Sequence, residues 1–229
     1  MENDNELLGS EYDNVPDLMG IDGFLGAVAR LPKEKQATAL RKGFGARGNR
    51  NTSRAELEEK FSQLPKDIRE GLLKKRLQLA DTRFYVIKDI AGKTTIDVFQ
   101  GTDNKNVGLG NLANQKLEKD NWFIISSIRM LYGVNLISRE KTDFGLCPPE
   151  IINGEFELEA GQKKIFGLTT NEIFDTKNRT DIPVGYYKLE STKIIEPQVE
   201  IKMPVKFAAA AEISTLLKVV FIGTSVIPF

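Results

Sequence analysis

The spacing of apolar positions changes partway along this chain. Ahead of residue 80 the spacing is helical. Ser53 is followed three residues later by Glu56, a capping box in which each side chain satisfies the other's free backbone N–H. Leu57, Phe61 and Leu64 then recur at helical intervals. Pro65 opens a second predicted helix, Lys66 to about Ala80, with Ile68, Leu72, Leu73, Leu77 and Leu79 on its apolar side. A third predicted helix covers Lys33 to Lys42, with Pro32 in its first turn.

From residue 82 alternation takes over. Residues 83–87 and 94–99 flank a turn at Ala91-Gly92-Lys93 and read as a hairpin. A polar loop, 101–109, and a short predicted helix, Leu112 to Leu117, precede the apolar strand 122–128. After a long loop ending at Pro148-Pro149, further strands are expected at 155–159, 164–168, 185–189, 199–203 and 217–226. Pro197 and Pro204 bracket the 199–203 strand, which places it at an edge or a bend. No fixed-period repeat is visible. Short strands with regular turn signals predict a mainly β fold, a jelly-roll-like two-sheet sandwich over 81–229, preceded by an N-terminal arm, 1–80, with short α-helices.

Charge adds to this division. The 32 basic and 32 acidic residues cancel overall, so their placement is the informative quantity. Residues 1–22 carry seven acids and no base. Residues 30–54 reverse the sign, with Arg30, Lys33, Lys35, Arg41, Lys42, Arg47, Arg50 and Arg54 against Glu34. This Gly-containing basic segment can track a phosphate backbone through salt-sensitive contacts, or pair with an acidic tail, its own or a neighbour's. The stripes Leu57/Phe61/Leu64 and Ile68/Leu72 must bury against the β body or another subunit.

The chemistry on offer is narrow. Histidine is absent, which excludes Ser-His-Asp, Cys-His and His-metal sites. The single Cys147 excludes an intrachain disulfide and reads as a small packed side chain. Gly108-Leu109-Gly110 lacks the residues of a phosphate-binding loop. Glu172, Asp175 and Asp181 share a polar loop and could serve a carboxylate hydrolase, although solvated loop acids explain them as well. Tyr85, Trp122, Phe123, Tyr186 and Tyr187 lie on strands, as core packing or as a base-stacking platform. No run is long and apolar enough to span a bilayer, and the acidic start is unlike a secretory leader, so synthesis in the cytoplasm is expected. The expectation is a protein without catalytic residues, metal or cofactor.

A resemblance extends this reading. The basic, helix-containing arm ahead of a β body with long loops resembles the jelly-roll structural proteins of icosahedral viruses and bacteriophages. The opening strand Trp122-Phe123-Ile124-Ile125 and the closing segment Pro204-Val205-Lys206 with Leu217 to Thr224 are similar to strands of phage virion proteins. The resemblance implies a capsid subunit, located in the virion, that self-assembles into an icosahedral shell. Its partners would be copies of itself, other virion proteins and, through the basic arm, the packaged genome. The acidic block ahead of the basic one departs from the simplest such arm and favours an arm threading between subunits. The alternatives are a nucleic-acid-binding accessory protein using residues 30–54, and the carboxylate hydrolase.

Overall fold

The computed structural model describes residues 25–33, 35, 36, 38–40, 64–134 and 138–229. Two antiparallel sheets of five strands pack together, and the protein is mainly β. The chain divides into two compact units, residues 1–81 with 225–229, and residues 82–224.

Within the first unit, residues 25–29 are helical and α1 spans Lys66–Leu73. Leu64, Ile68 and Leu72 are buried within the chain, as are Leu25 and Val28. Helix α1 is shorter than the spacing predicts. Lys75 takes a left-handed φ of 54°, and the chain turns back so that a methyl added at Gly71 would overlap the Leu77 side chain. Leu77 and Leu79 therefore begin strand β1, Leu77–Asp89, instead of ending the helix.

The second unit holds the common core. The remaining strands are β2 (Thr95–Asp97), β3 (Trp122–Val134), β4 (Phe144–Gly145), β5 (Glu155–Ala160), β6 (Lys163–Thr170), β7 (Tyr186–Ile195), β8 (Ile201–Lys202), β9 (Pro204–Lys206) and β10 (Thr215–Pro228). The first sheet runs β1-β10-β3, with β7 and β4 sharing the far edge of β3. The second runs β2-β9-β5-β6, with β8 also on β5. Phe123, Ile125, Ile128 and Met130 from β3 and Leu217, Val219 and Phe221 from β10 meet Ile96, Phe156, Leu158, Ile201 and Val205 from the other layer. Phe156 is fully buried and its ring centroid lies 5.5 Å from that of Phe166 and 5.3 Å from that of Phe174. Those edge-tilted rings fill the space between the layers on that side.

Several predicted elements are rearranged. The hairpin expected from 83–87 and 94–99 does not form; β1 joins the first sheet, whereas β2 crosses to the second and pairs with β9. The helix expected at 112–117 is a turn, in which Asn114 and Gln115 have φ of 51° and 50°. The Pro-bracketed segment is reduced to β8, whose one strand partner among the described residues is β5. The chain breaks at Met203, and Pro204 opens β9 between β2 and β5, where the first residue of a strand tolerates a missing N–H.

The connections at one end of the sandwich are tied together. Gly92 N donates to Ala211 O at 2.9 Å, Phe207 N to Thr94 O at 2.8 Å, and Ala208 N to Glu150 O at 2.8 Å. Asn171, fully buried at the start of a 3-10 turn, donates through Nδ2 to Ile151 O at 2.7 Å. Its backbone N–H donates to Gly154 O at 2.9 Å.

Candidate functional site

The two sheets present unlike outer faces. On the second sheet, β5 turns Phe156, Leu158 and Ala160 to the core and Glu155, Glu157 and Glu159 outward. Basic partners flank this acidic row: Glu159 is cross-strand from Lys202 and from Lys164, and Glu155 from Lys206. Lys164 Nζ lies 3.4 Å from both Glu157 and Glu159, and their carboxylates raise its pKa. The face is a compensated charge ladder of the kind that stabilises cross-strand pairs and keeps a sheet in water.

The first sheet is different. With Leu217, Val219 and Phe221 in the core, Leu216 and Lys218 of β10 point outward, yet Leu216 is buried. Leu131 of β3 and Ile87 of β1 are buried too, outside the common core. A strap from the β3–β5 connection, residues 138–145, crosses this face. Arg139 pairs with Asp89 of β1 at 3.1 Å, Glu140 lies over Gly108, and Phe144 pairs with Gly133 at the end of β3. Lys218 Nζ sits 5.2 Å from the centre of the Phe144 ring and 5.6 Å from that of Tyr85, a cation held between two rings. Burial lowers its pKa, and the positive charge of Arg129 on the adjacent strand β3 adds to the shift.

Beside Lys218 lies a polar group built from β3 and β7. Arg129 is cross-strand from Tyr186 and Ser127 from Lys188, so all four share the outer face. Arg129 Nε donates to Val184 O at 2.6 Å, which fixes the guanidinium while its terminal nitrogens stay available. Ser127 Oγ and Tyr186 Oη are 2.6 Å apart. Among the described residues no carboxylate pairs with Arg129 or Lys218. Neither cation was singled out in the sequence, because each reads as an ordinary polar position on a strand's outer face.

The residues that were singled out are dispersed. Arg30, Lys33 and Lys35 are exposed, whereas Arg41, Lys42, Arg47, Arg50, Arg54, Leu57 and Phe61 lie outside the described residues. Of the strand aromatics, Phe123 and Tyr187 pack in or against the core, while Tyr85 and Tyr186 belong to the outer face just described. Glu172, Asp175 and Asp181 are all exposed; Asp175 accepts from Lys177 N at 3.1 Å, a local turn contact. Among the described residues no group of three His, Cys, Asp or Glu side chains is placed to hold a metal ion, and no helix is long and apolar enough to cross a membrane.

Cys147 is buried, and burial pushes its thiol up to about 12, with Glu150 adding to the effect. Its ordinary value is 9.0, so between pH 9 and 12 the unfolded chain releases a proton that the folded chain keeps. The contribution of this thiol to stability is therefore complete below pH 9 and is lost as pH rises. The slope is up to about 1.4 kcal/mol per pH unit. Urea unfolding at pH 8 and 10.5 should show a smaller pH-dependent loss for Cys147→Ala than for the parent. A thiol reagent should modify the parent only under denaturing conditions.

In comparisons with known proteins, no family model and no curated protein sequence matches the chain.

Proposed function

We propose that this protein is a virion structural protein, a capsid subunit whose β body is a jelly roll carrying an N-terminal arm with short helices. The observation that carries the reading is the nesting of the strand pairs. Leaving aside the two-residue β4 and taking β8 and β9 as one broken strand, eight strands remain. The first of these neighbours the last, the second the seventh, the third the sixth and the fourth the fifth. A single long hairpin wound around a core gives that nesting, with successive turns alternating between two sheets. An immunoglobulin-type sandwich distributes its strands differently.

Jelly rolls serve shells, lectins and cupins alike, so the fold alone does not choose between them. Two further features support a shell. The sequence has no histidine, which removes the usual general base and metal ligand. It also places an acidic block, 1–22, and a basic block, 30–54, ahead of the body, a charge arrangement suited to pairing between copies. In this reading the body tiles the shell, the arm threads between subunits, and the basic segment lies at an interface or toward the genome.

The test is the assembly state of the full chain. Light scattering after size exclusion, followed by electron microscopy, should give rings or shells of many copies. A single-chain mass at every concentration tried, also after co-expression with the other virion proteins encoded alongside it, overturns the proposal.

A further inference from the structure

The outer face of the first sheet carries a group of side chains that the assembly reading does not use. Arg129 and Lys218 stand on adjacent strands with no carboxylate partner among the described residues. Asp89, at the end of β1 in this sheet, is occupied by Arg139. The Ser127 and Tyr186 hydroxyls lie on the same face within hydrogen-bond distance of each other. Lys188, cross-strand from Ser127, and Glu190 two residues further along β7 share that face and offset one another in charge. We infer that Arg129, Lys218 and the Ser127–Tyr186 hydroxyl pair form a binding site for an oxyanion of the phosphate class.

The chemistry fits that class. Arg129 is held by its Nε bond to Val184 O, so its two terminal nitrogens present a fixed fork to two oxygens of one anion. Lys218 supplies a point charge whose approach is set by the Tyr85 and Phe144 rings. Ser127 is buried and can donate to Tyr186 Oη, which leaves the Tyr186 O–H as the one free hydroxyl donor to complete a mixed set suited to a tetrahedral anion with several acceptor oxygens. Two like charges placed side by side without a counter-ion repel, and the partial burial of Lys218 adds to the cost of its charge. A bound dianion removes both penalties. The phosphate can belong to a polynucleotide backbone or be a free phosphate group, and the test separates these sources. The inference does not rest on the virion reading, since a monomer would bind the same anion.

The readout is the pKa of Lys218, followed by NMR on lysine side-chain carbons in the full chain. In inorganic phosphate that pKa should rise toward the ordinary lysine value, and in chloride of equal ionic strength it should not. Arg129→Gln should show two effects together. Without phosphate the Lys218 pKa rises, because a repelling charge has gone. With phosphate it no longer responds, and affinity falls at least tenfold. Arg129→Lys should retain part of the response, which separates anion binding from a folding defect.

A short single-stranded oligonucleotide is the second probe. Binding that weakens at least tenfold in Arg129→Gln and Lys218→Met identifies a backbone phosphate. Response to inorganic phosphate without such oligonucleotide binding identifies a free phosphate group. Identical Lys218 titrations in phosphate and chloride, with oligonucleotide binding equal in parent and variants, overturn the site.

Discussion

Gly185→Ala is expected to cost about 3–5 kcal/mol, the sum of a left-handed conformation forced on alanine and an overlap with backbone. Gly185 has φ of 68° and sits where the 3-10 turn region leads into β7. Its carbonyl accepts from Met130 N at 2.9 Å, and its own N–H donates to Thr176 Oγ1 at 2.9 Å. A methyl there would run into the Met130 carbonyl oxygen. Since Met130 is a fully buried residue of β3, the strand cannot yield without opening the core.

Gly223→Ala separates the two causes. Gly223 has no positive φ, yet a methyl would overlap the Ile124 carbonyl oxygen and crowd the Phe123 ring. Its expected cost is about 3 kcal/mol from overlap alone. Gly101→Ala and Gly145→Ala meet nothing within 4 Å and serve as neutral controls. Urea midpoints of the four variants should rank in that order, with the two controls close to the parent. A Gly185→Ala protein as stable as the controls would mean that β7 does not approach β3 at Met130 in this way.

These glycines also mark what a sequence can and cannot reveal. Strands β3, β5 and β10 are legible because their apolar residues either alternate or cluster in short runs: Glu155 to Ala160 alternates, whereas Trp122 to Ile125 is apolar on both faces. The partner of a strand is not legible in the same way. A five-residue turn at 90–94 is compatible with a hairpin or with an arch from one sheet to the other, and only the packing of Val86 and Ile96 into a shared core selects the arch. The end of α1 was hidden because Leu77 and Leu79 continue a helical stripe equally well as they begin a strand. The Arg129–Lys218 group was hidden for the same reason as the arch. Eighty-odd residues separate its members, and their meeting depends on β10 lying beside β3.

The buried Asn171 junction gives a second large effect, with a sign that depends on pH. Nδ2 donates to Ile151 O at 2.7 Å and to Lys206 O at 3.4 Å, tying together the β3–β5 connection, the 3-10 turn and the end of β9. Asn171→Asp keeps the shape but replaces these donors with an oxygen facing two carbonyl oxygens at a site with no exposure. An ionised carboxylate cannot be tolerated there, so the folded state holds the new group protonated. Its folded pKa then lies above the unfolded value of about 3.9. The folded form binds the extra proton, so stability falls as pH rises through this window, by up to about 1.4 kcal/mol per unit. At pH 7 the variant should be less stable than the parent by roughly 3 kcal/mol or more. Near pH 4 much of that loss should be recovered, because a protonated carboxyl can donate to Ile151 O in place of the amide. Asn171→Ala loses the donor without gaining a charge, and its deficit of about 1–3 kcal/mol should be nearly independent of pH. Urea unfolding of both variants at pH 4 and pH 7 distinguishes these outcomes. Parallel pH dependence of the two would place residue 171 in contact with water, and the junction would not be the tie that holds these loops.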